Sequence, residues 1–206
     1  MLLAADQSVV VVLDDSGSMT GQMRGESSRK MDVAKTALLK VLSDIPDGAE
    51  VGVLALNSSV DRSNWIVPLG PVDRASIENQ IARIRAEGTT PLGAAMKTAA
   101  DALLSARDKN VYGTYRLLIV TDGEASDQNL VDKYLPEINS RGLTTDVIGV
   151  DMSGQHSLAR QVNTYRRAND PETLVQAIAQ VFAETSSQDA DTGESDYDML
   201  SGIPDE

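Results

Sequence analysis

Residues 9–19 read VVVVLDDSGSM, and this stretch decides the fold. Its first five residues are apolar and four of them are β-branched valines, which predicts a strand buried on both faces. The apolar run stops at two acidic residues, followed by a glycine flanked by two hydroxyl side chains. In an open α/β sheet the ligand site lies at the carboxyl ends of the strands. We therefore expect a functional site where this strand ends.

Three oxygen-bearing side chains alternate along the loop that follows this strand: Asp14, Ser16 and Ser18. One carboxylate and two hydroxyls are hard ligands, which suit Mg²⁺ better than a soft or redox-active metal. The pattern by itself is weak, because it also fits a turn whose side chains cap the next helix. The strand before it and further oxygen side chains later in the chain favour a ligand site.

The composition fits one α/β domain followed by an acidic tail. The chain has 206 residues, enough for a sheet covered on both faces, and its low aromatic content of 3% predicts an aliphatic core. The net charge is −13, but residues 184–206 hold eight acidic residues and no lysine or arginine, so the first 183 residues carry only −5. We expect no nucleic-acid partner, since no basic face is evident, and no membrane insertion, since no long apolar run occurs. The absence of cysteine excludes disulfides and thiolate metal sites.

Strands alternate with helices along the chain, which predicts a doubly wound, mostly parallel open sheet with helices on both faces. The second short strand after the first helix, residues 65–68, contains a proline and is predicted to be an antiparallel edge strand. We divide the chain into a lead-in, one domain and a mostly disordered acidic tail: residues 1–6, 7–183 and 184–206.

Three single residues give local predictions. Asp73 is predicted to cap the helix that follows it. Pro136 is predicted to kink the helix over residues 129–141 or to divide it into two pieces. His156 is the one histidine of the chain and lies in a polar loop, so we expect it at the surface.

Two later segments complete the pattern begun by DDSGS at residues 14–18: GTTPLG at residues 88–93 and LIVTDG at residues 118–123. In order, spacing and strand context the three segments resemble the von Willebrand factor type A domain family. The resemblance covers roughly residues 7–183. It implies a Rossmann-like fold and a metal-ion-dependent adhesion site (MIDAS) that binds Mg²⁺, with Mn²⁺ or Ca²⁺ as substitutes.

The resemblance also implies a role for each site residue. It implies five metal ligands, with the hydroxyls binding directly and the carboxylates binding directly or through water: Ser16, Ser18, Thr90, Asp14 and Asp122. Thr89 competes for the threonine position, and we prefer Thr90 because it immediately precedes Pro91. Asp15 has two open interpretations, a group that supports the ligand loop through hydrogen bonds or a solvated acid.

These residues predict a metal-dependent protein-interaction domain. Neutral hydroxyl ligands cancel little of the charge of Mg²⁺, so the ion attracts an Asp or Glu carboxylate of a partner protein. One alternative is a structural or assembly domain that binds partners without metal. A weaker alternative is a Mg²⁺-dependent enzyme that resembles phosphotransferases.

We expect no catalytic activity. A haloacid-dehalogenase-like phosphatase needs Asp-x-Asp, but Ser16 stands at the second position. A response-regulator receiver needs a lysine after the late strand, where this chain has residues 149–152, GVDM. Neither a nucleophile elbow nor a phosphate-binding P-loop occurs in the sequence.

The acidic tail has three interpretations: a solvated linker, a docking peptide, or a source of a carboxylate for the chain's own metal site. The sequence leaves the compartment open between the cytoplasm and export. The absence of cysteines, and of the extra repeats common in eukaryotic extracellular relatives, favours a bacterial or archaeal source.

Overall fold

A six-stranded sheet forms the centre of the computed structural model, which describes residues 7–45, 48–152, 154 and 156–187. The strand order is β3-β2-β1-β4-β5-β6, and all neighbours are parallel except β2 and β3, which are antiparallel. The strands are β1 Gln7–Leu13, β2 Glu50–Ala55, β3 Trp65–Pro71, β4 Thr114–Thr121, β5 Thr144–Val150 and β6 Thr164–Ala168. The predicted mostly parallel sheet and its antiparallel edge strand are confirmed.

Five α-helices cover the two faces of the sheet. They are α1 Lys30–Asp44, α2 Ile77–Ala82, α3 Leu92–Arg107, α4 Gln128–Ser140 and α5 Pro171–Ser187. Helices α1, α2 and α5 pack on one face, against Val9 and Val11 of β1. Helices α3 and α4 pack on the other face, against Val10 and Val12. Because β1 is covered on both sides, its apolar residues run without interruption.

The predicted site residues lie near the point where the strand order reverses. Strand β1 pairs with β2 on one side and with β4 on the other, and Leu13 of β1 stands opposite Val120 of β4. The carboxyl ends of β1 and β4 are therefore adjacent, and the segments that follow them begin at Asp14 and Asp122. Open α/β sheets bind ligands in the crevice at such a switch point.

Two local predictions from the sequence, for Pro136 and Asp73, differ from the structure. Helix α4 is continuous through Pro136, so the division into two pieces does not occur. Asp73 lies in a turn before α2 and accepts hydrogen bonds from Ala75 and Ser76, whereas the cap position of α2 is Ser76. Helix α5 continues past residue 183, as far as Ser187.

Some sequence predictions fall outside the described residues. These are the lead-in of residues 1–6 and most of the acidic tail, residues 188–206. Within the described part of the chain, no helix combines the length and the apolar character needed to cross a membrane.

Candidate metal centre

Asp14 lies buried at the end of β1, with both carboxylate oxygens hydrogen-bonded. The backbone N–H of Ser16 donates to Oδ1 at 2.8 Å, and the hydroxyl of Thr121 donates to Oδ2 at 2.6 Å. Burial raises the pKa of Asp14 above its ordinary value; hydrogen bonds from Thr121 and Ser16 oppose the rise, and the negative charge of Asp122 adds to it. This carboxylate is held rigidly at the base of the site.

A chain of hydrogen bonds connects both serines with Asp122. The Ser18 hydroxyl donates to Oδ1 of Asp122 at 2.6 Å, and the hydroxyls of Ser16 and Ser18 are 3.0 Å apart. Each hydroxyl has one proton, so Ser18 donates to Asp122 and accepts from Ser16. The Ser16 and Ser18 oxygens both keep lone pairs that a cation can share.

Lys30, which the sequence analysis missed, pairs with the other oxygen of Asp122. Its ammonium lies 2.9 Å from Oδ2, and the side chains of Lys30 and Asp122 are 15% and 0% exposed. Lys30 is the first residue of α1 and follows Arg29 at the cap position. No local sequence pattern marks Lys30, because its partner Asp122 lies 92 positions away along the chain.

Asp15 is fully buried and holds the loop after β2. Its carboxylate accepts from the backbone N–H groups of Leu56, Asn57 and Ser58 at 2.6 to 2.9 Å, and from the Asn57 side chain at 3.3 Å. The structure therefore decides between the two interpretations of Asp15. It is a supporting group and not a solvated acid.

The loop that contains both threonines is joined to the Asp14–Ser18 loop through the backbone. The N–H of Gly17 donates to the carbonyl of Gly88 at 3.1 Å, and the N–H of Glu87 donates to the carbonyl of Asp15 at 2.8 Å. Gly88 has a φ of +77°, in the region that favours glycine. Among the described contacts, the hydrogen bonds between the two loops are formed by backbone atoms and not by the threonine hydroxyls.

Thr90 and Thr89 differ in burial. Thr90 is 9% exposed, whereas Thr89 is exposed. The carbonyl of Thr90 accepts from Ser126 at 2.8 Å, so Thr90 is also fixed to the segment after Asp122. The choice of Thr90 over Thr89 as a metal ligand stays a prediction.

His156 is buried, which contradicts its predicted surface position. The N–H of Leu158 donates to its Nδ1 at 3.1 Å, so Nε2 carries the proton and donates to the carbonyl of Gly123 at 2.8 Å. Gly123 follows Asp122 directly, so the imidazole supports the loop after β4. The expectation of a surface position is wrong because backbone groups bond both ring nitrogens, and one of these partners, Gly123, lies 33 positions away along the chain.

The donor set matches a hard cation. Among the described residues, no group of three or more His, Cys, Asp or Glu side chains is placed to hold a metal ion. The Ser16–Ser18 pair, beside the carboxylates of Asp14 and Asp122, offers hydroxyl oxygens as further ligands. Mg²⁺ accepts such oxygen ligands and retains water molecules.

The model of the von Willebrand factor type A domain family matches residues 9–124, which is more than half of the chain. The chain belongs to this family. The von Willebrand factor type A match begins in β1 and ends just after Asp122, so it contains all five predicted ligands. Domains of this family are typically interaction modules and not enzymes.

A curated relative and a solved structure agree with this assignment. Inter-alpha-trypsin inhibitor heavy chain H3 of Bos taurus is 29% identical over 126 residues, which are 58% of this chain and 13% of that protein. The chain thus spans a small part of that relative. The von Willebrand factor type A protein of Catenulispora acidiphila has a TM-score of 0.69 at 21% identity, over 89% of this chain and 43% of the other.

Two further structures of the same fold carry metal. The manganese-loaded TRAP protein of Plasmodium vivax has a TM-score of 0.59 at 16% identity, over 87% of this chain and 74% of the other. Proximal thread matrix protein 1 of the mussel byssus, with a zinc-occupied MIDAS motif, has a TM-score of 0.61 at 14% identity, over 89% of this chain and 46% of the other. At these identities the structures demonstrate a shared fold.

Proposed function

We propose that this von Willebrand factor type A domain binds a partner protein through a divalent ion, with Mg²⁺ as the resident metal and Mn²⁺ as a substitute. The ion would be held by three hydroxyls directly and by two carboxylates directly or through water: Ser16, Ser18, Thr90, Asp14 and Asp122. The bound ion supplies positive charge that attracts an Asp or Glu carboxylate of the partner.

The observation that supports this proposal most is the hydroxyl arrangement between the two carboxylates. Ser18 directs its proton towards Asp122 and accepts from Ser16, so one of its lone pairs remains available to a cation. The oxygens of Asp14 and Asp122 already accept protein hydrogen bonds, which favours their ligation through water. Ligands that remain mostly neutral leave the ion electrophilic towards a partner.

Isothermal titration of MgCl₂ and MnCl₂ into metal-free protein tests the proposal. We expect one saturable site in the wild type and at least roughly tenfold weaker binding in Ser18→Ala, which lacks one hydroxyl ligand. Ser43→Ala is the matched control, because Ser43 is an exposed serine of α1 that bonds only within its own helix. Absence of heat and of thermal stabilisation in the wild type would contradict metal dependence, as would equal affinities in the wild type and Ser18→Ala.

A further inference from the structure

The position of Lys30 is fixed by the backbone as well as by its side chain. The Lys30 N–H donates to the carbonyl of Gly21 at 2.9 Å, and the Gly21 N–H donates to the carbonyl of Ser18 at 3.0 Å. Lys30 is therefore tied to the loop that contains the candidate hydroxyl ligands. A long, flexible lysine is held here in one place, beside Asp122.

Lys30 supplies a positive charge at a cluster of two carboxylates. Asp14 is buried and the side chain of Asp122 is 0% exposed; the two residues follow neighbouring strands and together carry two negative charges. Within the described residues, Lys30 is the basic side chain that pairs with either of them. In the metal-free domain, the Lys30 ammonium therefore neutralises part of the negative charge that a divalent ion would otherwise neutralise.

We propose that Lys30 is a resident counter-cation that competes electrostatically with the divalent ion and lowers the metal affinity of the free domain. This inference rests on the proposed function. Lysine and ion are both positive and share Asp122, so each weakens the interaction of the other with that carboxylate. With Lys30 and a divalent ion both present, the two carboxylates are more than neutralised, and the excess positive charge favours an anionic group of a partner.

Three variants isolate this effect. Lys30→Met removes the charge and keeps a long side chain that suits a helix. Lys30→Arg keeps the charge. Lys40→Met is the matched control, because Lys40 is an exposed residue of the same helix, about 15 Å further along it, and its loss changes the net charge equally.

The first measurement is calorimetric titration of MgCl₂ into each metal-free protein. We expect Lys30→Met to bind Mg²⁺ about tenfold more tightly than the wild type, and Lys30→Arg and Lys40→Met to remain within about twofold of it. Equal or weaker binding by Lys30→Met would overturn the inference while leaving the proposed function intact. If all four proteins fold and none binds Mg²⁺, the proposed function itself is overturned, and the competition with it.

The second measurement uses no metal. In EDTA, we expect Lys30→Met to melt about 2–4 °C below the wild type, because Asp122 loses its buried partner, and Lys40→Met to melt with the wild type. Adding Asp122→Asn to Lys30→Met should remove most of the deficit, since the amide carries no charge to neutralise. Equal melting of Lys30→Met and Lys40→Met in EDTA would overturn the role of Lys30 as counter-cation.

Discussion

Asp15 holds the loop after β2 through hydrogen bonds from three buried or half-buried backbone N–H groups and one side-chain amide. Asp15→Ala removes the acceptor of the three backbone N–H groups, and buried unsatisfied donors are costly, whereas the Asn57 amide still donates to the carbonyl of Thr89. We expect the free energy of unfolding to fall by about 3 kcal/mol, measured by urea denaturation with EDTA present.

Two variants serve as comparisons for Asp15→Ala. Asp15→Asn keeps one carbonyl oxygen and should lose less stability than the alanine variant. Asp108→Ala removes an exposed carboxylate at the end of α3 and should change the free energy of unfolding by less than about 0.5 kcal/mol. A loss in Asp15→Ala as small as in Asp108→Ala would contradict the supporting role.

Asp73 gives a pH-dependent prediction. Hydrogen bonds from the Ser76 hydroxyl and the Ala75 N–H lower the pKa of Asp73 below its usual value of 3.8. A carboxyl whose pKa is lower in the folded state contributes stability above its unfolded pKa and loses it as the pH falls through the folded pKa. The stability difference between wild type and Asp73→Ala should therefore be full well above the usual pKa of Asp73 and shrink as the pH falls through the lower pKa of the folded state, which urea midpoints measured at a series of pH values can follow. A difference that is constant with pH would contradict this assignment.

The sequence predicts residue types at the site better than it predicts their contacts. Asp14, Ser16, Ser18 and Asp122 stand out because oxygen side chains follow two apolar strands. The partner of Lys30 lies 92 positions along the chain, and no local pattern connects residues that far apart. The same limit left Asp15 undecided and made the prediction for His156 wrong.

The close packing of α3 on α4 positions the loop that contains Thr90. A Cβ atom on Gly93 would lie 2.6 Å from the Leu130 Cβ and 2.6 Å from the Val131 nitrogen, so no side chain fits between the helices. Asp127 accepts from the N–H groups of Gly93 and Ala94 at 2.9 Å, which joins the starts of the two helices. The register of these helices therefore depends on a glycine.

Gly93→Ala tests this dependence. The added methyl group must push α4 away. We expect the free energy of unfolding to fall by about 2 kcal/mol, which is typical of an overpacked core. Gly70→Ala is the control, because a Cβ on Gly70 would meet no atom within 4 Å and the φ of Gly70 is not positive. If both variants unfold at the same urea concentration, the close contact does not constrain the helices.

Elements with strong apolar patterns were predictable, and those that depend on tertiary packing were not. The run at residues 9–13 is entirely apolar, and the run at residues 116–120 is apolar after Arg116. Both form central strands of the sheet. Helix α4 was harder, because Pro136 signals a break. Leu135 and Ile138 on either side of it are buried in the core, and this packing outweighs the unfavourable proline.

At the scale of the whole molecule, composition predicts one domain, but its end depends on contacts of α5. The sequence places the boundary at residue 183, where apolar residues become rare. In the structure, Glu184 pairs with Arg116 of β4 at 3.4 Å and also with Arg166 of β6. Arg116 and Asp146 form a buried ion pair at 2.9 Å, so Glu184 completes a charge network across three strands. We accordingly propose a domain that extends through Ser187.

Two truncated proteins test this boundary. One ends at Ala183 and the other at Ser187, so that both lack residues 188–206 and differ only in the last turn of α5. The shorter form loses Glu184 and exposes the helix end where Gln7 donates to the carbonyl of Phe182 at 3.1 Å. A half-exposed ion pair contributes up to about 1 kcal/mol, so the shorter form should melt roughly 2–4 °C lower.

The full-length variant Glu184→Gln separates the charge from the helix end. If the ion pairs account for the difference, this variant should reproduce most of the shift in melting temperature. Raising the NaCl concentration should then narrow the gap in melting temperature between Glu184→Gln and the wild type, because a half-exposed pair is screened by salt. Equal melting of the two truncated forms would place the end of the folded domain at residue 183, since the last turn of α5 would then contribute nothing to stability.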